Sequence, residues 1–151
     1  MSSIEPSFNL VESIPKMPEL VSSTTSCLDE VFDFIQSLHP SPSSTIAVFK
    51  PTHGFERIVE TIRSEQEYSK VSFARKPKSI YPYRTQGLVY FPQQSTIGRK
   101  SFAVLIPLRV HGSAYIGGKS IETDCYYHIF QLSNITVSEG GKLVALVITY
   151  G

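Results

Sequence analysis

The residue types and spacing best suited to chemistry lie in a proline-stiffened run, Arg75-Lys76-Pro77-Lys78 followed by Tyr81-Pro82-Tyr83-Arg84. Lysine and arginine neutralise phosphates, and tyrosine rings stack on unpaired bases. Arg99 and Lys100 extend the same surface if their loop meets the first at one sheet edge. Arg75, Lys76, Lys78, Tyr81, Tyr83, Arg84, Arg99 and Lys100 therefore form a candidate anion- or nucleic-acid-binding set. The competing reading is a solvated loop whose charge answers acids elsewhere in the chain.

The charge map favours looking there. Net charge is only +1, but it is unevenly placed. Residues 1 to 67 hold four basic and ten acidic side chains. Tyr68 to Ile121 holds nine basic side chains and no acid, and the remainder carries one lysine against three acids. A near-neutral total separates the chain from strongly basic nucleic-acid binders, so any binding surface must be local.

His53, His111 and His128 come next. Two histidines beside a lysine such as Lys50 or Lys119 can cleave RNA by acid–base chemistry without a metal. Both His53-Gly54 and His111-Gly112 fall in expected turns, where loops hold catalytic groups, but no spacing among them is diagnostic. Gly118-Lys119-Ser120 resembles the end of a phosphate-binding loop, yet Ser113 stands where that motif needs a glycine. The residues that follow, Ile121 to Phe130, are rich in strand formers instead of opening a helix. No two of His, Cys and Asp show a metal-ligand spacing, and Cys27 and Cys125 stand far apart in no CxxC pattern. No residue is assigned as catalytic, metal-binding or cofactor-binding on these grounds.

These residues need elements to position them. The first 24 residues, with Pro6, Pro15 and Pro18 among many Ser and Thr, read as a flexible arm, leaving 25–151 as one domain. Ser26 caps a helix whose face is Leu28, Val31, Phe32, Ile35 and Leu38, stopped by His39-Pro40. Thr45 to Lys50 is a short strand. Phe55, Ile58, Val59 and Ile62 mark a second helix, and Tyr68 to Ala74 alternates as a strand. Gly87–Phe91, Ser101–Val110, Asp124–Leu132 and Lys142–Tyr150 follow as further strands, with Pro107 pointing to an edge or a bulge. Both faces of the last strand are apolar, which requires a central place in the sheet or a covering partner. The expected fold is α+β: two N-terminal helices packed on a mainly antiparallel sheet of about six strands.

No secretory signal opens the chain and no apolar run spans a bilayer, so a cytoplasmic or nuclear location is expected. The function expected from these features is a non-enzymatic binding or assembly protein. Its partner would be nucleic acid, RNA before DNA, or an anionic membrane surface, with no small-molecule cofactor. One alternative is a self-assembling viral structural protein of matrix or coat type, forming homo-oligomers through its C-terminal strand. The other is a small histidine-dependent nuclease.

Overall fold

Alternating apolar side chains build most of this chain into strands, and two amphipathic helices cover one side of them. The computed structural model describes residues 11–38, 46–49, 53–68, 82–97, 103–130 and 133–150. In chain order the elements are β1 (Val11–Pro15), α1 (Pro18–Gln36), β2 (Ile46–Phe49), α2 (His53–Tyr68), β3 (Pro82–Tyr90), β4 (Gln93–Ile97) and β5 (Ala103–His111). They continue with β6 (Ala114–Ile116), β7 (Lys119–Ser120), β8 (Cys125–Ile129), β9 (Ser133–Val137) and β10 (Lys142–Tyr150).

Two antiparallel sheets result. The larger has six strands in the order β1-β8-β5-β10-β3-β2, and the smaller has four in the order β4-β9-β6-β7. From β3 onward, successive strands are often placed in opposite sheets, which is the connectivity of a jelly-roll β-sandwich. Period-two alternation then gives the large sheet two buried faces. Val104, Ile106, Tyr126, Val144, Leu146 and Ile148 face the helices, where Cys27, Val31, Ile35, Phe55, Ile58 and Ile62 meet them. Leu105, Tyr127, Ile129, Leu143, Ala145 and Val147 face the small sheet and its Ile97, Ile116, Ile135 and Val137.

Helix α1 begins at Pro18, whose fixed φ suits a first helical position, with Glu19 in the positively polarised first turn. Leu20, Thr24, Cys27, Val31 and Ile35 then repeat every three or four residues on its buried side. Phe32, expected inside, is 38% exposed. In the large sheet Gly87 stands opposite Phe49 across the β2–β3 pair, and the Phe49 ring occupies the space that a Cβ at Gly87 would need.

The expectation of two helices on a single six-stranded sheet is overturned: the protein is a mostly β sandwich with a second sheet. The strands that were missed are short. Two residues make β7 and three make β6, too few for alternation to register. The single run read from Asp124 to Leu132 holds β8 alone, and β9 follows it in the other sheet. Residues 11 to 24 also belong to the folded body, as β1 and the first part of α1, where the composition suggested an arm. Apolar Val11 is buried against the inter-sheet core and Leu20 against the helix-side core, which outweighs the proline-rich local signal. The expected Tyr68–Ala74 strand lies outside the described residues apart from Tyr68, which ends α2.

β10 is central. It pairs with β5 on one edge and β3 on the other, and both of its faces are buried. Self-association through this strand is therefore corrected, since it has neither a free edge nor a free face. Pro107 sits at a bulge, where the register between β5 and β10 shifts at Val144/Ala145. The pairing of β5 with β8 has ended at Leu105, and Lys16 Nζ donates to the Pro107 carbonyl at 2.7 Å.

Candidate functional site

Strand pairing aligns the two ends of β5 and β10 so that Arg109 lies opposite Val144 and His111 opposite Lys142. All four, with Ile35 and Gln36 from the last turn of α1, line one cleft of about 210 Å³. Three of the six lining side chains can carry positive charge and none is acidic. The Arg109 guanidinium lies 5.4 Å above the Phe32 ring, and Lys142 Nζ lies 5.7 Å from the centre of the Phe91 ring. Stacking on a ring face holds a guanidinium while leaving its in-plane N–H donors directed outward. The last turn of α1 has no basic residue of its own, so Arg109 also complements the negative end of that helix.

His128 is elsewhere and of another kind. It pairs with Val104 across β5–β8, while His111 lies seven residues further along β5, about 23 Å away at ~3.3 Å per residue. The two histidines cannot share a substrate, a proton or a metal. His128 is 2% exposed and faces the helix side, edge-on to the rings of Tyr126 and Phe130. Burial alone lowers its pKa from 6.5 to about 4, which keeps the imidazole neutral. His53 opens α2.

A third group joins β1 to the start of β8. Lys16 reaches Thr24 Oγ1 at 3.5 Å as well as the Pro107 carbonyl, and desolvation brings its pKa down to about 8 against the pull of Cys125 and Asp124. Glu122, Asp124 and Cys125 offer donor atoms within 4.8 Å of one another, and both acids are solvent-exposed. The Cys125 thiol is pushed up, first by burial and then by Asp124, so it is not an activated nucleophile. Among the described residues this is the one grouping of three potential metal donors, and it contains no histidine. Cys27 is buried, and neither it nor Cys125 is in a disulfide.

Of the anion-binding set expected from the sequence, no described residue lines this cleft. Arg75, Lys76, Lys78, Tyr81, Arg99 and Lys100 fall outside the described residues. Tyr83 and Arg84 are part of β3, with Arg84 exposed opposite Thr149, and so belong to a strand and not to a loop. Gly117 and Gly118 have φ of 54° and 84° and form the two-residue turn between β6 and β7. Lys119-Ser120 is thus half of a hairpin, which excludes a phosphate-binding loop. The cleft residues Arg109 and Lys142 were seen only as scattered charges, because their neighbourhood depends on the β5–β10 register.

No family model and no curated protein matches the sequence. Solved structures do share the architecture. A prolyl-4-hydroxylase from Pseudomonas putida superposes with a TM-score of 0.61 at 9% identity, covering 93% of this chain and 91% of that one. The viral collagen prolyl hydroxylase of Paramecium Bursaria Chlorella virus-1, solved with 2OG, gives a TM-score of 0.58 at 10% identity, covering 95% and 97%. At such identities the likeness is one of fold. Both neighbours are prolyl hydroxylases, and neither is a nucleic-acid-binding or viral structural protein, which corrects the expected non-enzymatic polyanion binder and matrix-type subunit. The expectation of a nucleic-acid or membrane partner without a small-molecule ligand falls with them. Among the described residues no helix is long and apolar enough to cross a membrane.

A hydroxylase on such a fold calls for an oxygen-activating metal, and non-haem iron oxygenases hold theirs on two histidines and one carboxylate. The described residues do not fit that requirement. Among the described residues no donor groups converge between the sheets, where the clustered side chains are mostly aliphatic or aromatic. The one group of three donors lacks a histidine and lies beside Lys16.

Proposed function

We propose that this protein handles a small organic anion, a carboxylate or phosphate ester of metabolite size, in the cleft between the last turn of α1 and the ends of β5 and β10. The observation that carries the reading is the convergence of Arg109, His111 and Lys142, with Gln36 as a neutral hydrogen-bonding group, in one cleft without an acid. A volume of about 210 Å³ is below the ~300–1,000 Å³ of sites for drug-sized ligands, and so suits a small metabolite. It is also too small for a polymer. The fold shared with two prolyl hydroxylases, one of them solved with 2OG, supports a small-molecule role over a macromolecular one.

In this reading Arg109 offers two parallel N–H donors to a carboxylate or phosphate, and Lys142 adds a point charge. Val144 and Ile35 supply the apolar wall. Each charge-assisted hydrogen bond contributes roughly 1.5–3 kcal/mol, about ten- to a hundred-fold in affinity. The test is an NMR titration of labelled protein with 2-oxoglutarate, succinate and inorganic phosphate. Shifts should cluster at Gln36, Arg109, His111 and Lys142, and Arg109→Ala should weaken binding at least tenfold. Binding that survives the Arg109→Ala, Lys142→Ala double variant, or no shift with any of the three anions at 10 mM (about 100-fold above a ~0.1 mM Kd), would refute it.

A further inference from the structure

We infer that the space between the two sheets is a sealed apolar core that cannot hold an oxygenase-type iron, so the chain has the hydroxylase architecture without that metal centre. The register decides the point. Leu105, Ile129 and Leu143 of the large sheet, with Ile116 and Ile135 of the small one, are all 0% exposed, and Tyr127 is 1% exposed. These side chains fill the middle of the sandwich. The polar atom that Tyr127 brings inside is already used: its hydroxyl accepts from the Glu122 N–H at 2.8 Å and donates to the Ser120 carbonyl at 3.1 Å.

The supply of donors leads to the same conclusion. The chain has four histidines: His39, His53, His111 and His128. His111 lines the cleft beneath α1, and His128 packs with Tyr126 on the helix side of the large sheet, so both point away from the interior. His53 belongs to α2, in the helix layer on that same side. Only His39 is left, and one histidine cannot make a two-histidine set. The residues that follow β4 and precede β9, 98–102 and 131–132, include no His, Asp, Glu or Cys. The inference is separate from the anion cleft, which lies outside the sandwich and needs no metal.

The experiment uses the full chain under anaerobic conditions, titrated with Co(II) and with Fe(II), by visible absorption and by calorimetry. Oxygen uptake is then followed with Fe(II) and 2-oxoglutarate. The expected result is no stoichiometric site with Kd below about 100 μM, no histidine-dependent Co(II) band and no 2-oxoglutarate-dependent oxygen uptake. Weak binding that disappears in Asp124→Asn would place the ion on the exposed Glu122–Asp124–Cys125 group, and the inference would stand. A one-to-one site that survives Asp124→Asn and is lost in a histidine variant would overturn it. So would oxygen consumption that requires 2-oxoglutarate. Anion binding in the metal-free titration decides the cleft reading by itself, so the two can fail separately.

Discussion

Lowering the pH from 7 to 4.5 should cost the folded protein about 2.5 kcal/mol through one side chain, His128. The imidazole is 2% exposed, and burial lowers its pKa from 6.5 to about 4. In the unfolded chain it takes up a proton near pH 6.5, whereas the folded protein resists until about pH 4. Between those values the unfolded state binds more protons, so stability falls as the pH falls. At ~1.4 kcal/mol per unit, the whole gap is worth about 3.4 kcal/mol, of which about 2.5 is spent between pH 7 and 4.5. Urea unfolding at pH 7, 5.5 and 4.5 would measure it, with His128→Phe as the non-titrating comparison. The variant can be more or less stable at pH 7, since it alters packing against Tyr126 and Phe130. What matters is the slope. Carboxylate titration is common to both proteins, so the wild type should lose about 2.5 kcal/mol more than the variant over this range. Parallel pH profiles, within about 0.5 kcal/mol, would mean that His128 is solvated and that the burial reasoning is wrong.

Three further outcomes follow from individual contacts. Gly87→Ala drives a methyl group into the Phe49 ring and should lower stability by about 1–3 kcal/mol in denaturant melts; an unchanged midpoint would show that the ring does not lie there. Tyr127→Phe removes the hydroxyl that joins Ser120 to Glu122 and should cost roughly 1–3 kcal/mol, visible as a lower thermal midpoint. Lys16→Met strips the Pro107 carbonyl of its donor and should destabilise by a similar ~1–3 kcal/mol at neutral pH. Because the Lys16 pKa falls from 10.5 to about 8 on folding, the unfolded state holds the extra proton between those values. The wild type should therefore gain stability from this group as the pH rises above 8, and the variant should lack that gain.

What could be read from the sequence follows the length of the element. β10 is nine residues with both faces apolar, so its need for cover on two sides was legible, while the choice between a central place and a covering partner was made only by its pairing with β3 and β5. Helix α2 was legible from Phe55, Ile58 and Ile62, which do lie on its buried side. The second sheet was not legible, because its strands have five residues at most and each buries little surface alone. β9 alternates well, with Ser133, Ile135 and Val137 inward, but it is only five residues long, and the run read before it stopped at Leu132, just short of its start. Missing that sheet changed the functional argument as well as the fold. With one sheet, the surface opposite the helices would have been free for a polyanion or for copies of the chain. With two, it becomes an interior, and the cleft cations Arg109 and Lys142 lie on the other side, with α1. Those residues are 33 positions apart, in segments that alternation marks only as strands. The β5–β10 register, shifted by the bulge at Val144/Ala145, brings them to one cleft under α1. A contact set by register and a bulge carries no local signature, so the site could be found only after the pairing was known.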